Sequence, residues 1–84
     1  MNAGEIIKNA MVHALRRRRM KLPLEIRIHD VGGNSMELYG TDEEVRVITP
    51  GDFDRPVRFP LSIAVTDAQG KEESFMFMEG SGCL

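Results

Sequence analysis

At Pro23 the hydrophobic period of the chain changes from 3.6 to 2, and this switch restricts the fold more than any other feature of the sequence. Before it, residues placed at about 100° intervals gather Ala3, Ile6, Ile7, Ala10, Met11, Ala14 and Leu15 on one half of a helical wheel. Glu5, Asn9, His13 and Arg16 share the other half. Asn2 can cap this helix, and Glu5 three residues later can complete a capping box. The helix is expected over about 2–20, because Pro23 disfavours helical geometry in the residue before it.

Beyond Pro23, Leu22, Leu24, Ile26 and Ile28 alternate with Glu25, Arg27 and His29, the pattern of a half-buried strand. Asp30-Val31-Gly32-Gly33-Asn34 then reads as a hairpin turn into Met36 and Leu38, with Glu37 and Tyr39 opposite. Strands are expected over about 22–29, 35–40, 44–49, 57–66 and 72–79, with a frayed tail over 80–84. Pro60 cannot donate a ladder hydrogen bond, which predicts an edge or a bend in the fourth strand. Asp67-Ala68-Gln69-Gly70 is a hairpin loop with Gly70 in the left-handed position. The last strand is apolar on both faces, Phe75 and Phe77 on one and Met76 and Met78 on the other.

These elements imply a single α+β domain: an N-terminal amphipathic helix packed on a twisted four- to five-stranded antiparallel sheet. The alternative is a small closed β-barrel capped by the helix. One helix covers one face, which leaves Met76, Met78, Ile48, Ala64 and Tyr39 as candidates for a second apolar surface, buried by barrel closure or by another chain.

With 84 residues, 42% of them hydrophobic and 29% charged, the chain suits one soluble domain, and no low-complexity tract or internal repeat stands out. No apolar run approaches the roughly 20 residues that span a bilayer, and the N-terminus has no apolar signal-peptide core, so a cytoplasmic location is expected. The single Cys83 excludes an intrachain disulfide and a cysteine-based zinc site within one chain. Charge is divided along the sequence. Residues 1–22 hold six cations against one acid, net +5, and residues 23–84 hold five cations against twelve acids, net −7.

No catalytic cluster is legible, and no cofactor or small-molecule substrate is implied. His13 and His29 both fall on polar faces, with no nucleophile in a recognisable arrangement beside either. Asp52-Phe53-Asp54 could share a hard cation but lacks the further oxygen ligands and glycine spacing of a calcium loop, so a turn is the expected role. Gly32-Gly33 lies between two strands and not ahead of a helix, where phosphate binding would need it. The run Arg16-Arg17-Arg18-Arg19, with Lys21, is the strongest charge feature. Ideal helical spacing spreads the four arginines around the helix as a collar, with Arg18 along the apolar stripe. Such a collar favours a helix C-terminus electrostatically and suits an acidic partner better than a groove-lying helix.

The order of a helix ending in HALRRRRMKLPLEIRIHDVGG followed by short strands resembles bacterial Hfq-type Sm proteins, which implies RNA binding. The resemblance covers about the first 30 residues. No Tyr-Lys-His segment precedes the final strand and the loop GDFDRPVRFP has no counterpart there, so no residue role is carried over and no family is assigned. The arginine-then-strand pattern is also similar to PilZ domains, whose two motifs are not both present. The sequence therefore favours a non-catalytic interaction protein that self-associates or binds a protein partner through the Met76/Met78 face or the edge near Pro60. Nucleic-acid binding through Arg16, Arg17, Arg18, Arg19 and Lys21 is the second choice.

Overall fold

A computed structural model describes residues 3–49, 57–80 and 82–83 of the chain. Helix α1 spans Ala3–Val12 and continues into a π-helical segment, His13–Arg17. The expected cap, Asn2, lies outside the described residues, as does Asp52-Phe53-Asp54. Among the described residues six strands follow: β1 Leu24–His29, β2 Ser35–Gly40, β3 Val45–Thr49, β4 Leu61–Thr66, β5 Glu72–Met78 and the two-residue β6 Gly82–Cys83. They form one antiparallel sheet in the order β3-β2-β1-β4-β5-β6. The sheet is open, with β3 at one edge and β5/β6 at the other, so the barrel alternative does not occur.

The alternation read from the sequence sets the two faces of the sheet. Leu24, Ile26 and Ile28 of β1, Met36 and Leu38 of β2, Leu61, Ile63 and Val65 of β4, and Phe75 and Phe77 of β5 are buried on one face. Against them lie Ile6, Ala10 and Ala14, fully buried, and Ile7, Met11 and Leu15, half-buried. Each buried Leu or Ile contributes about 1.5–3 kcal/mol over its exposed state, so this one layer supplies most of the stability. Gly40 is a close approach: a Cβ there would stand 2.7 Å from Met11 Cε.

Three expectations need correction. Pro60 does not mark an edge, because it precedes β4, where its missing N–H costs no ladder bond, and β4 is an interior strand paired with both β1 and β5. Val57 and Phe59, expected in that strand, pack half-buried against the core ahead of it. The tail expected to fray contributes β6, whose two residues pair with Phe77 and Met78.

The helix also ends differently from an ideal wheel. Arg18 N–H bonds to His13 C=O at 3.1 Å and Met20 N–H to Ala14 C=O at 3.0 Å, wider spacings than the α-helical i to i−4 bond. Arg19 takes a left-handed conformation, φ 55°, which stops the helix as a C′ residue does. Met20 is thereby turned into the core.

The structure exposes an internal repeat that the sequence reading missed. Lys21-Leu22-Pro23-Leu24-Glu25-Ile26-Arg27-Ile28-His29-Asp30 and Arg58-Phe59-Pro60-Leu61-Ser62-Ile63-Ala64-Val65-Thr66-Asp67 enter equivalent hairpins, β1–β2 and β4–β5. Pro23/Pro60, Leu24/Leu61, Ile26/Ile63, Asp30/Asp67 and Gly33/Gly70 are identical at one constant spacing. Both X-Pro bonds are cis, and both glycines have positive φ, 91° and 82°. The hairpins meet through β1 and β4 around the Arg27/Ala64 pair, which lies on the approximate two-fold axis relating them.

Candidate functional site

The sheet face away from α1 carries the residues singled out for a second apolar surface, and it does not bring them together. Ala64 is exposed between Arg27 of β1 and Ser74 of β5. Met76 is 39% exposed and lies opposite Ser62, Met78 is half-buried further along β5, and Tyr39 is half-buried opposite Glu25 and Arg46. Polar side chains thus separate Tyr39, Ala64 and the two methionines. Beside the small Ala64 side chain lies a depression of about 160 Å³, lined by Glu25, Arg27, Thr66, Glu72 and Ser74. Mixed charge around this depression makes it polar, not an apolar seat.

Ile48 belongs to a different place. The β2–β3 pairing matches Leu38 with Val47 but Glu37 with Thr49, so Ile48 is the extra residue of a β-bulge on the edge strand. It is 57% exposed. Val47 and Val45, opposite the buried Leu38 and Gly40 on the helix side of the sheet, are 45% and 40% exposed. Met11 of α1 reaches Gly40 of β2 and His13 packs on Phe75 of β5, while β3 presents three apolar side chains beside an edge with no partner strand among the described residues. The sequence reading included Ile48 but missed Val45 and Val47, because their alternation looks the same in an edge strand and an interior one.

The arginine run divides. Arg16, Arg17 and Arg19 are exposed, and so is the Lys21 side chain. Arg18 is half-buried, its Nε donates to His13 Nε2 at 3.2 Å, and its guanidinium carbon stands 5.6 Å from the centroid of the Phe75 ring. The His13 ring in turn lies 4.3 Å from Phe75, tilted by 49°. His13 was expected on a polar face; the π-helical widening sets it and Arg18 over the same ring. An imidazole that accepts from a guanidinium must be neutral at that nitrogen, and burial, then Arg18, then Arg17 lower its pKa below 6.5. Lys71 Nζ closes the cluster by donating to Arg18 C=O at 2.6 Å, beside Glu73 at 3.9 Å.

Two buried carboxylates, Asp30 and Asp67, are fully engaged and do structural work. Asp30 accepts from the backbone N–H of Gly32, Asn34 and Arg58 and from Asn34 Nδ2. Asp67 accepts from the N–H of Lys21, Gln69 and Lys71. Among the described residues no group of three or more His, Cys, Asp or Glu side chains is placed to hold a metal ion, and no buried side-chain polar atom is left without a partner. No helix among them is long and apolar enough to cross a membrane.

No protein-family model, no curated protein and no solved structure matches this chain.

Proposed function

We propose that the chain is a non-catalytic protein-interaction module that takes a partner strand onto the edge of its sheet at β3. The observation carrying this reading is the exposure of Val45, Val47 and Ile48 along an edge strand that, among the described residues, has a neighbouring strand on one side only. Native sheets commonly shield such edges with lysine, proline or a covering loop; β3 carries one cation, Arg46, and no proline. Backbone pairing at an edge supplies affinity and the side chains on either face supply selection, the physics of strand addition. The Met76/Met78 face supports this role less well, since Ser62 and Ser74 interrupt it.

The reading is tested by capture from cell extract with three baits: the native chain, Val45→Lys and Met76→Glu. Proteins held by the native chain should be lost with Val45→Lys and kept with Met76→Glu. The reverse pattern would move the interface to the outer face and overturn the edge assignment.

A second reading, nucleic-acid binding, is favoured by the exposure of Arg16, Arg17, Arg19 and Lys21 at one end of the molecule. It is weakened by the engagement of Arg18 with His13 and Phe75, and by the burial of Phe75 and Phe77, which removes those rings as base-stacking platforms. Absence of a low-salt gel shift with the native chain would end it.

A further inference from the structure

Resting on the assignment of β3 as the binding edge, we propose that its occupant is a second copy of this chain, paired antiparallel about a two-fold axis through Val45. Three observations select this partner and this register. Thr41 N–H bonds to Glu44 C=O at 2.8 Å, which makes Thr41 and Glu44 a hydrogen-bonded pair of the β2–β3 ladder. Bonded and non-bonded pairs alternate along an antiparallel ladder, so Arg46 bonds towards Tyr39 while the N–H and C=O of Val45 and Val47 point to the open side.

A two-fold related strand can satisfy those outward groups in three ways. Pairing Val45 with the partner's Val47 places Arg46 opposite the partner's Arg46, and like charges directly opposite are destabilising. Pairing Val47 with the partner's Val47 places Arg46 opposite the partner's Ile48, the bulge residue, where the ladder is already interrupted. Pairing Val45 with the partner's Val45 places Glu44 opposite the partner's Arg46, and by symmetry does so twice. Glu44 Oε1 and Arg46 Nη2 already stand 3.0 Å apart on this strand, with their side chains 60% and 71% exposed. The paired edge would therefore carry a square of alternating charges on one face and, on the other, the two Val45 side chains apposed at the axis, with each Val47 opposite the partner's Glu43. Sheet continuation about a two-fold is also how this chain is built internally, at the β1–β4 contact around Arg27 and Ala64.

The test uses the purified full chain in sedimentation equilibrium up to about 100 μM, with charge variants at the edge. The native chain should shift with concentration from its 9.5 kDa monomer to twice that mass. Glu44→Arg alone places two arginine pairs across the axis, and Arg46→Glu alone places two glutamate pairs there. Each should weaken self-association at least tenfold. Mixing the two variants restores both opposite-charge pairs, so a heterodimer should form where neither variant self-associates. Both substitutions lie at exposed positions, so folding, checked by circular dichroism, is kept.

A native chain that stays monomeric, or variants that dimerise like it and gain nothing on mixing, would overturn self-pairing. The capture comparison with Val45→Lys reads the edge independently, so loss of self-pairing alone remains distinguishable from loss of the edge assignment.

Discussion

Asp30 and Asp67 occupy the same position of two copies of one turn, and each is hydrogen-bonded by a backbone N–H from the other copy. Arg58, ahead of β4, donates to Asp30 Oδ2 at 3.3 Å, and Lys21, ahead of β1, donates to Asp67 Oδ2 at 3.1 Å. The return bonds match, Val31 N–H to Arg58 C=O at 3.3 Å and Ala68 N–H to Lys21 C=O at 3.2 Å. The reciprocal bonds lock the two hairpins together at both ends of the β1–β4 contact. For both carboxyls burial acts to raise the pKa, and the N–H donors more than offset it, leaving each below 3.8. A carboxyl depressed in the folded state contributes stability that is present above its unfolded pKa and lost as pH falls through the folded value. Acid unfolding should therefore set in below about pH 3.8, and Asp30→Asn or Asp67→Asn should lower the melting temperature at pH 7 and flatten the acid limb. Melting curves from pH 2 to 7 decide it; an unchanged acid limb in both variants would contradict the role.

His13 titrates in a different window. Its pKa is lowered in the fold, so the unfolded chain binds the extra proton first, and stability falls as pH drops below 6.5 through the folded value. Protonation also removes the lone pair that accepts from Arg18 Nε. His13→Gln should remove this step, leaving the denaturation midpoint flat between about pH 7 and 5. Urea titrations across that range check it.

Arg19 pays a conformational cost to end the helix. At φ 55° a glycine is favoured over any residue with a Cβ, and the exposed Arg19 side chain makes no bond that the change would sacrifice among those described. Arg19→Gly should stabilise the fold by about 0.5–1 kcal/mol, visible as a melting temperature raised by roughly 2–8 °C.

Gly40 reports the fit of α1 on the sheet. A Cβ at Gly40 would meet Met11 Cε at 2.7 Å and Sδ at 3.2 Å, the mobile end of a flexible side chain. Gly40→Ala should therefore cost only about 1 kcal/mol, with Met11 swinging aside, and Gly40→Val should cost about 1–3 kcal/mol as the helix is pushed off. Met11→Ala in the Gly40→Ala background should cost less than in the native chain, a coupling that a double-mutant cycle in urea measures.

Much of this architecture was legible residue by residue. The apolar spacing from Ile6 to Leu15 identified the buried side of α1, and the alternation from Leu24 to Ile28 and from Leu61 to Val65 identified the core face of two strands. The positive φ of Gly70 followed from its place in the loop after Asp67. The repeat was present in the letters but hidden, because the two copies share only five identities, and proline, aspartate and glycine punctuate strands routinely; the matching bonds of Asp30 and Asp67 and the positive φ of Gly33 and Gly70 set it apart. The candidate interface was less legible. Val45 and Val47 read as ordinary alternation, and the doubly apolar β5 suggested a covered outer face where the sheet sets Met76 beside serines.

By itself the sequence determined local geometry: one helix, the strands, their turns and which side chains share a face, since these depend on the periods 3.6 and 2 and on residues that tolerate positive φ. The tertiary structure decided strand order and helix ending, both set by contacts between residues far apart in the chain. It made β4 an interior strand and β3 an edge, and it drew Arg18 out of the basic run onto Phe75 through a π-helical turn. Which apolar residues meet water depends on strand order, and alternation carries no information about that order.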